Sequence, residues 1–144
     1  MELVLGPDVF VNASVAPGTP PEQIAQRVLG NAKHKITASR WVLERVEAML
    51  GAHPAFRKDH LAEHMKLIGS LVTQAELDGK FEIGQWAEAL AATAKAAQLD
   101  RVITDHPDLL EKGSHDGVDF ESTESLLLEF AVPPPPPPPE PKKD

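Results

Sequence analysis

The stretch that decides the fold spans residues 102–110 and has the sequence Val-Ile-Thr-Asp-His-Pro-Asp-Leu-Leu. Its first three residues are apolar or β-branched and predict a short buried strand. A glycine-containing loop follows, and the segment 118–120, Val-Asp-Phe, predicts a last short strand. Before this stretch, residues 84–98 carry seven alanines and predict a helix that can lie close to a neighbouring element.

Towards the N-terminus, strands and helices alternate. Residues 2–5 and 9–11 are apolar and predict a short strand that runs into a turn at Gly-Pro-Asp, residues 6–8. A second strand is predicted at 35–38. Helices are predicted to begin at Thr19 (with Pro20 at the first helical position and Glu22 completing a capping box), Ser39, Asp59 and Ser122. This alternation favours an α/β fold with a parallel sheet.

Composition excludes several classes of protein. The 144 residues contain no Cys, which excludes a disulfide framework, a cysteine–zinc site and a thiol nucleophile. The first residues, Met-Glu-Leu-Val-Leu, lack the basic region of a secretory signal, and no apolar run approaches the roughly 18 residues of a membrane span. We therefore expect a cytoplasmic protein that makes no membrane contact.

The net charge of −8 is concentrated in one segment. Residues 81–132 carry eleven acidic and three basic side chains, whereas the segment 133–144 is neutral. This balance argues against an unaided phosphate-binding surface. It is compatible with a cation site or with a basic partner.

The C-terminal segment differs in composition from the rest of the chain. The run of seven prolines lacks backbone donors and predicts a disordered, extended tail over 132–144, after a domain over 1–131. Such a run is typical of ligands for aromatic-grooved domains of the SH3, WW or GYF kind. The residues predicted to dock such a protein partner are Pro133, Pro134, Pro135, Pro136, Pro137, Pro138 and Pro139.

The order of these segments resembles the PIN domain, the fold of many toxin ribonucleases from bacterial toxin–antitoxin pairs. The segments that carry the resemblance are 3–13, 36–44, 89–99, 102–110, 118–120 and the final helix at 122–130. The resemblance covers residues 2–131 and implies a three-layer α/β fold, with a central, mostly parallel sheet and helices on both faces. It also implies an antitoxin-like partner and a homodimer.

The same resemblance implies chemistry based on three or four carboxylates around one or two Mg²⁺ or Mn²⁺ ions, which suit hard oxygen ligands. Of the four acid positions of the family, this chain matches one, at Glu44. The first position falls on Gly6, with Asp8 two residues later, and the fourth falls on His106, with Asp105 before it. The third falls near Ala87, between Trp86 and Glu88.

Two interpretations follow. One is a PIN-like domain that has lost hydrolysis, needs no cofactor and acts as a protein-interaction module. A shift of one or two residues turns a side chain to another face, and this favours the first interpretation. The alternative is a metal-dependent endoribonuclease of toxin–antitoxin type that cleaves RNA with displaced carboxylates. Its catalytic residues would be Asp8, Glu44, Glu88, Asp105 and Asp108, and its metal ligands would be Asp8, Glu44 and Asp105.

Three further patterns have a structural and a functional reading. The pattern His60-x-x-Glu63-His64 matches that of inverted zinc proteases, but no third ligand is evident. Ser114-His115-Asp116 lacks the sequence context of a hydrolytic nucleophile. Trp86 either fills the space near the missing acid or forms a contact surface for a partner.

Overall fold

Short strands alternate with helices along the chain. The computed structural model describes residues 1–131. The strands are β1 (Glu2–Val4), β2 (Lys35–Ser39), β3 (Thr73–Ala75), β4 (Arg101–Ile103), β5 (Ser114–His115) and β6 (Val118–Glu121). The helices are α1 (Pro7–Val15), α2 (Pro20–Val28), α3 (Arg40–Ala52), α4 (Leu61–Leu71), α5 (Trp86–Ala96), α6 (Pro107–Lys112) and α7 (Thr123–Ala131), with a 3-10 turn at Lys58–His60.

The sheet is mostly parallel, as the alternation predicts. Strands pair in the order β1-β2-β3 and β4-β6-β5, and all of these pairs are parallel except β5 with β6. The two halves meet at a parallel bridge between Leu5 and Ile103, where the N–H of Gly6 donates to the carbonyl of Ile103 at 2.7 Å. The first strand therefore lies in the middle of a sheet with the order β3-β2-β1-β4-β6-β5.

Both faces of the sheet are covered. Consecutive residues of a strand point to opposite faces of the sheet. Residues 3–5, at the end of β1 and just after it, are all buried, and so are residues 102–104, at the end of β4 and just after it. Helix α5 packs against β1, β2 and β4, while α1 packs on α2 and α3, and α2 packs on α7. This arrangement agrees with the α/β fold expected from the resemblance.

Two of the predicted helix caps form as expected. The Ser39 hydroxyl accepts from the N–H of Val42 at 3.4 Å at the start of α3, and the Ser122 hydroxyl accepts from the N–H of Ser125 at 3.0 Å at the start of α7. At α2 the details differ, because the carboxylate of Glu22 accepts from the N–H of Gly18 at 2.9 Å and the Thr19 hydroxyl donates to the carbonyl of Ala16.

The prediction for residues 9–11 was wrong. This segment belongs to α1, which begins at Pro7, the residue after the N-cap Gly6. Its Val and Phe side chains are poor helix formers, but their burial outweighs this intrinsic preference. The predicted cap at Asp59 was wrong as well, because its carboxylate pairs with Arg57 and α4 begins at Leu61 after His60.

The domain boundary expected after residue 131 stays a prediction, because the proline-rich segment 132–144 lies outside the described residues. Among residues 1–131, no helix combines the length and apolar character needed to cross a bilayer.

Candidate functional site

The carboxyl ends of β1, β2 and β4 lie at one edge of the sheet, because these strands run parallel. In open parallel sheets this edge is where ligands bind. Polar side chains gather here although they are almost wholly buried: Asp8, Ser39, Thr93 and Thr104 are each less than a tenth exposed. This edge is therefore the candidate site.

Asp8, which follows β1, is held by two hydrogen bonds from the end of β4. The hydroxyl of Thr104 donates to Asp8 Oδ1 at 2.7 Å, and the backbone N–H of Asp105 donates to Asp8 Oδ2 at 2.7 Å. The side chain sits in the first turn of α1, where the positive end of the helix dipole favours a carboxylate. Both carboxylate oxygens of Asp8 are thus engaged within the protein.

The carboxylate of Asp8 occupies the space beside Gly6. A Cβ atom placed on Gly6 would lie 2.5 Å from Asp8 Oδ1 and 3.1 Å from the Oγ1 of Thr104. The backbone of Gly6 has φ −67° and ψ 158°, which any residue adopts. Position 6, where the resemblance places the first acid, therefore has no room for a side chain while Asp8 keeps this conformation.

Burial raises the pKa of Asp8 above its ordinary value of 3.8, because desolvation disfavours the charged form. The hydrogen bonds from Thr104 and Asp105 act in the opposite direction, since they stabilise the carboxylate. The nearby carboxylate of Asp105 adds a smaller rise in the pKa.

Asp105 is engaged in turn by the last helix. Its Oδ1 accepts from the N–H of Thr123 at 2.8 Å and its Oδ2 accepts from the hydroxyl of Thr123 at 2.6 Å. Thr123 is the first residue of α7 and is 1% exposed. Asp8 and Asp105 therefore form a continuous hydrogen-bonded chain that links α1, the end of β4 and α7.

The other three candidate acids lie apart from this chain. Glu44 is exposed on α3 and pairs with Arg40 at 3.1 Å, four residues earlier on the same helix. Glu88 is half-buried in the first turn of α5, and Asp108 is exposed in the first turn of α6. The structure brings Asp8 and Asp105 together and leaves Glu44, Glu88 and Asp108 separate.

The candidate acids are not gathered around one point in this structure. Within residues 1–131, no three Asp, Glu or His side chains are grouped so that they could hold a metal ion. The four carboxylate oxygens of Asp8 and Asp105 already accept hydrogen bonds from the protein. A Mg²⁺ or Mn²⁺ site needs several oxygen ligands around one point.

An aromatic row lies beside the carboxylates. The rings of Trp41 and Trp86 meet edge to face with centroids 5.8 Å apart, and the ring of Trp86 lies 4.7 Å from that of His106. His106 joins the row to the carboxylates, because its backbone N–H donates to the hydroxyl of Thr104 at 3.1 Å, and this hydroxyl in turn donates to Asp8. Trp86 and His106 stand at or beside two positions where the resemblance places acids. The sequence shows this substitution, but not that the two rings touch.

A cleft of about 610 Å³ opens beyond β2 and β3. Its walls include the Arg40–Glu44 pair, Glu76 and Lys80, with Trp41 at its base. Trp41 is only 9% exposed, and its indole N–H donates to the carbonyl of Glu82 at 3.0 Å. Glu44 thus faces an open cleft between oppositely charged side chains.

Several acids of the segment 81–132 have cationic partners. Arg101 pairs with Glu121 at 2.9 Å and with Glu129 at 2.6 Å, and Lys95 pairs with Asp116, whose pKa it lowers by hydrogen bonding. In the described part of the chain, Glu111, Asp119 and Glu124 are exposed and have no ion-pair partner. These three acids are among the exposed carboxylates of this segment that remain open to a basic partner.

The pattern His60-x-x-Glu63-His64 does not form a zinc site in the described residues. His64 Nε2 lies 2.8 Å from the hydroxyl of Ser14 on α1, and the ring packs against Phe56. Desolvation lowers the pKa of His64. His60 lies at the exposed start of the helix.

Comparison with known proteins supports the fold. No family model matches the chain, and no curated protein matches it in sequence. Among solved structures, a chain of VapBC2 from Rickettsia felis, a PIN-domain toxin–antitoxin complex crystallised with a DNA fragment from its promoter, is similar with a TM-score of 0.60. The match covers 85% of this chain and 98% of that chain at 14% sequence identity. The chain therefore has a PIN-like fold.

Proposed function

We propose that this chain is a PIN-like protein-interaction module that has lost metal-dependent hydrolysis. The observation that carries the proposal is the hydrogen-bonded chain from Asp8 through Asp105 to Thr123, which uses carboxylates as structural acceptors. The separate positions of Glu44, Glu88 and Asp108 add to it. Function depends on the site rather than on the fold, so a PIN-like fold does not by itself imply a nuclease.

The test is a calorimetric titration of the full chain with Mn²⁺. We expect no saturable heat in the unmodified chain, and no cleavage of a single-stranded RNA in the presence of Mn²⁺ or Mg²⁺. Glu44→Ala is compared with Glu47→Ala, which removes an exposed carboxylate from the same helix. A 1:1 transition that Glu44→Ala abolishes and Glu47→Ala retains would overturn the proposal in favour of a metal-dependent ribonuclease with displaced carboxylates.

We propose that the partner of the folded domain is an antitoxin-type protein with a basic segment. The structural neighbour is a toxin–antitoxin complex, which supports a partner of this type. The exposed acids Glu111, Asp119 and Glu124 supply complementary charge for a basic segment. A homodimer is a further proposal from the same likeness, and sedimentation analysis would detect it.

An arginine-rich peptide of antitoxin type, measured by fluorescence anisotropy, tests the role of these acids. We expect binding that weakens with added salt and with the double change Glu111→Gln and Glu124→Gln. The matched control is Glu63→Gln, which neutralises an exposed carboxylate on α4. Equal binding by both variants would contradict the proposed surface.

We further propose that Pro133–Pro139 dock a polyproline-binding domain of the SH3, WW or GYF kind. These residues lie outside the described part of the chain, and the proposal rests on their sequence. Deletion of 133–144 should abolish capture of the chain by an immobilised domain of this kind. Unchanged capture after the deletion would show that the prolines are not the ligand.

A further inference from the structure

A second concave surface lies between α1, α2 and α4. This groove has a volume of about 160 Å³, and its walls are almost wholly carbon. Its lining residues are Phe10, Ala13, Ser14, Ala25, Leu29, His64, Leu67, Ile68 and Leu71. We call it the α1–α2–α4 groove.

The groove leaves apolar surface open to solvent. Leu67 on its wall is 54% exposed, although Ile68 beside it is only 4% exposed. The two polar side chains in the groove satisfy one another, because Ser14 Oγ and His64 Nε2 lie 2.8 Å apart. An occupant of this groove therefore needs apolar surface and few hydrogen-bond donors.

The last described residues lie close to one end of the groove. Helix α7 packs on α2. The guanidinium carbon of Arg27 lies 5.5 Å from the ring centroid of Phe130 on α7, and the ring centroids of Phe130 and His34 are 5.7 Å apart. Leu29, two residues after Arg27, lines the groove, and a Cβ on Gly30 would lie 3.7 Å from a methyl of Leu71. The chain thus leaves α7 on one side of the C-terminal end of α2, and the groove begins on the other side.

The segment that follows α7 has the chemistry that the groove needs. Seven prolines, 133–139, offer apolar rings and no backbone N–H donors. A polyproline helix rises about 3.1 Å per residue, so seven prolines span roughly 22 Å, more than the width of one helix with its side chains, about 10–12 Å. The segment is long enough to pass around the end of α2.

We propose that the last prolines of the run 133–139 dock in the α1–α2–α4 groove of the same molecule, while the first ones cross the end of α2. The covalent connection places the prolines next to the groove at a high effective concentration, so weak contacts suffice to hold them. Docking covers Leu67 and leaves the Ser14–His64 pair intact. A polyproline-binding partner then competes with the groove for the same prolines. The inference does not depend on the loss of hydrolysis.

The experiment uses the full chain and its lack of cysteine. The change Glu140→Cys creates a single attachment point for a nitroxide label directly after the prolines. Paramagnetic broadening is measured by NMR at the methyl groups of Leu29, Leu67 and Leu71, and at Leu110 on α6 as an internal reference. We expect the groove methyls to lose most of their intensity and Leu110 to keep its intensity.

Two variants and one mixture make the result decisive. Leu67→Glu places a charge in the groove at an exposed position and should restore the intensity, whereas Leu128→Glu, on the 66% exposed Leu128 of α7, should not. An equimolar mixture tests docking between molecules: one chain carries the nitroxide at natural isotope abundance, and the other is isotope-enriched for NMR and carries no nitroxide. Intact groove signals in the labelled chain, or broadening that appears equally in the mixture, would overturn docking within one molecule. Both outcomes leave the Mn²⁺ titration unaffected.

Discussion

The close approach of Gly6 and Asp8 makes a quantitative prediction about their coupling. In Gly6→Ala the new methyl carbon would lie 2.5 Å from Asp8 Oδ1, whereas an ordinary contact between carbon and oxygen is about 3.3–3.6 Å. The carboxylate must therefore move by roughly 1 Å, which breaks its 2.7 Å hydrogen bond from Thr104. Overpacking of this kind costs about 1–3 kcal/mol, and we expect a loss in unfolding free energy within that range.

The partner change Asp8→Ala has a different cause and a similar size. It leaves the hydroxyl of Thr104 and the N–H of Asp105 without their acceptor, which costs about 1–3 kcal/mol. In the double variant the methyl group added at position 6 meets no carboxylate. We therefore expect the double variant to be more stable than the sum of the single changes predicts, by about 1 kcal/mol or more.

Urea unfolding followed by tryptophan fluorescence measures all three variants, because Trp41 is buried next to this edge of the sheet. Gly69→Ala is the matched control. Gly69 lies within α4, and a Cβ there meets no other atom within 4 Å, so this change should stabilise the chain by about 0.5–1 kcal/mol. Additivity of Gly6→Ala and Asp8→Ala within about 0.5 kcal/mol would refute the steric argument.

Three further predictions concern the same architecture. Thr123→Val removes the hydroxyl that donates to Asp105 and should cost about 1.5–3 kcal/mol in urea unfolding, whereas Thr123→Ser should retain most of the stability; equal losses would contradict the role of the hydroxyl. The pKa of Asp8 is raised in the folded state, so as pH rises the unfolded chain loses the carboxyl proton of Asp8 before the folded chain does. The free energy of unfolding should therefore fall between pH 3.8 and the raised pKa of Asp8. Asp8→Asn should lack this decline, and a stability difference between the two chains that is constant with pH would argue against it. Leu50→Ala should lower the unfolding free energy by about 2–5 kcal/mol because Leu50 is fully buried, while Leu128→Ala on the surface should change it by less than about 0.5 kcal/mol.

The strands that were predicted from sequence are those with buried apolar or β-branched residues. The segments 2–5, 35–38, 102–104 and 118–120 were all assigned correctly to within a residue or two. Burial on both faces leaves a run of apolar or β-branched residues in the first three, whereas in 118–120 the buried Val118 and Phe120 alternate with the exposed Asp119. Strand β3, Thr73–Ala75, was not predicted, since it has no such run and its first two residues are exposed. Strand β5, two residues long, was missed for the same reason.

The candidate site was predictable in its residue types but not in its connections. Asp8 and Asp105 were both identified as candidates from the resemblance, as acids one or two residues from the positions where the family has them. The bond between them joins residues 97 positions apart, and its geometry depends on the bridge between Leu5 and Ile103. A local sequence pattern cannot show that the carboxylate of Asp105 accepts hydrogen bonds from Thr123 while its backbone N–H donates to Asp8.

The central place of β1 has a consequence for synthesis of the chain. As residues emerge in order, β1 can pair with β2 once Ser39 is made, but its other edge stays open until Ile103 appears. At about 5–20 residues per second, the roughly 60 intervening residues take about 3–12 s to be made. During that interval the apolar segment 3–5 has an unpaired edge that can accept a strand from another chain. The nascent protein is therefore open to mispairing along this edge until β4 is complete.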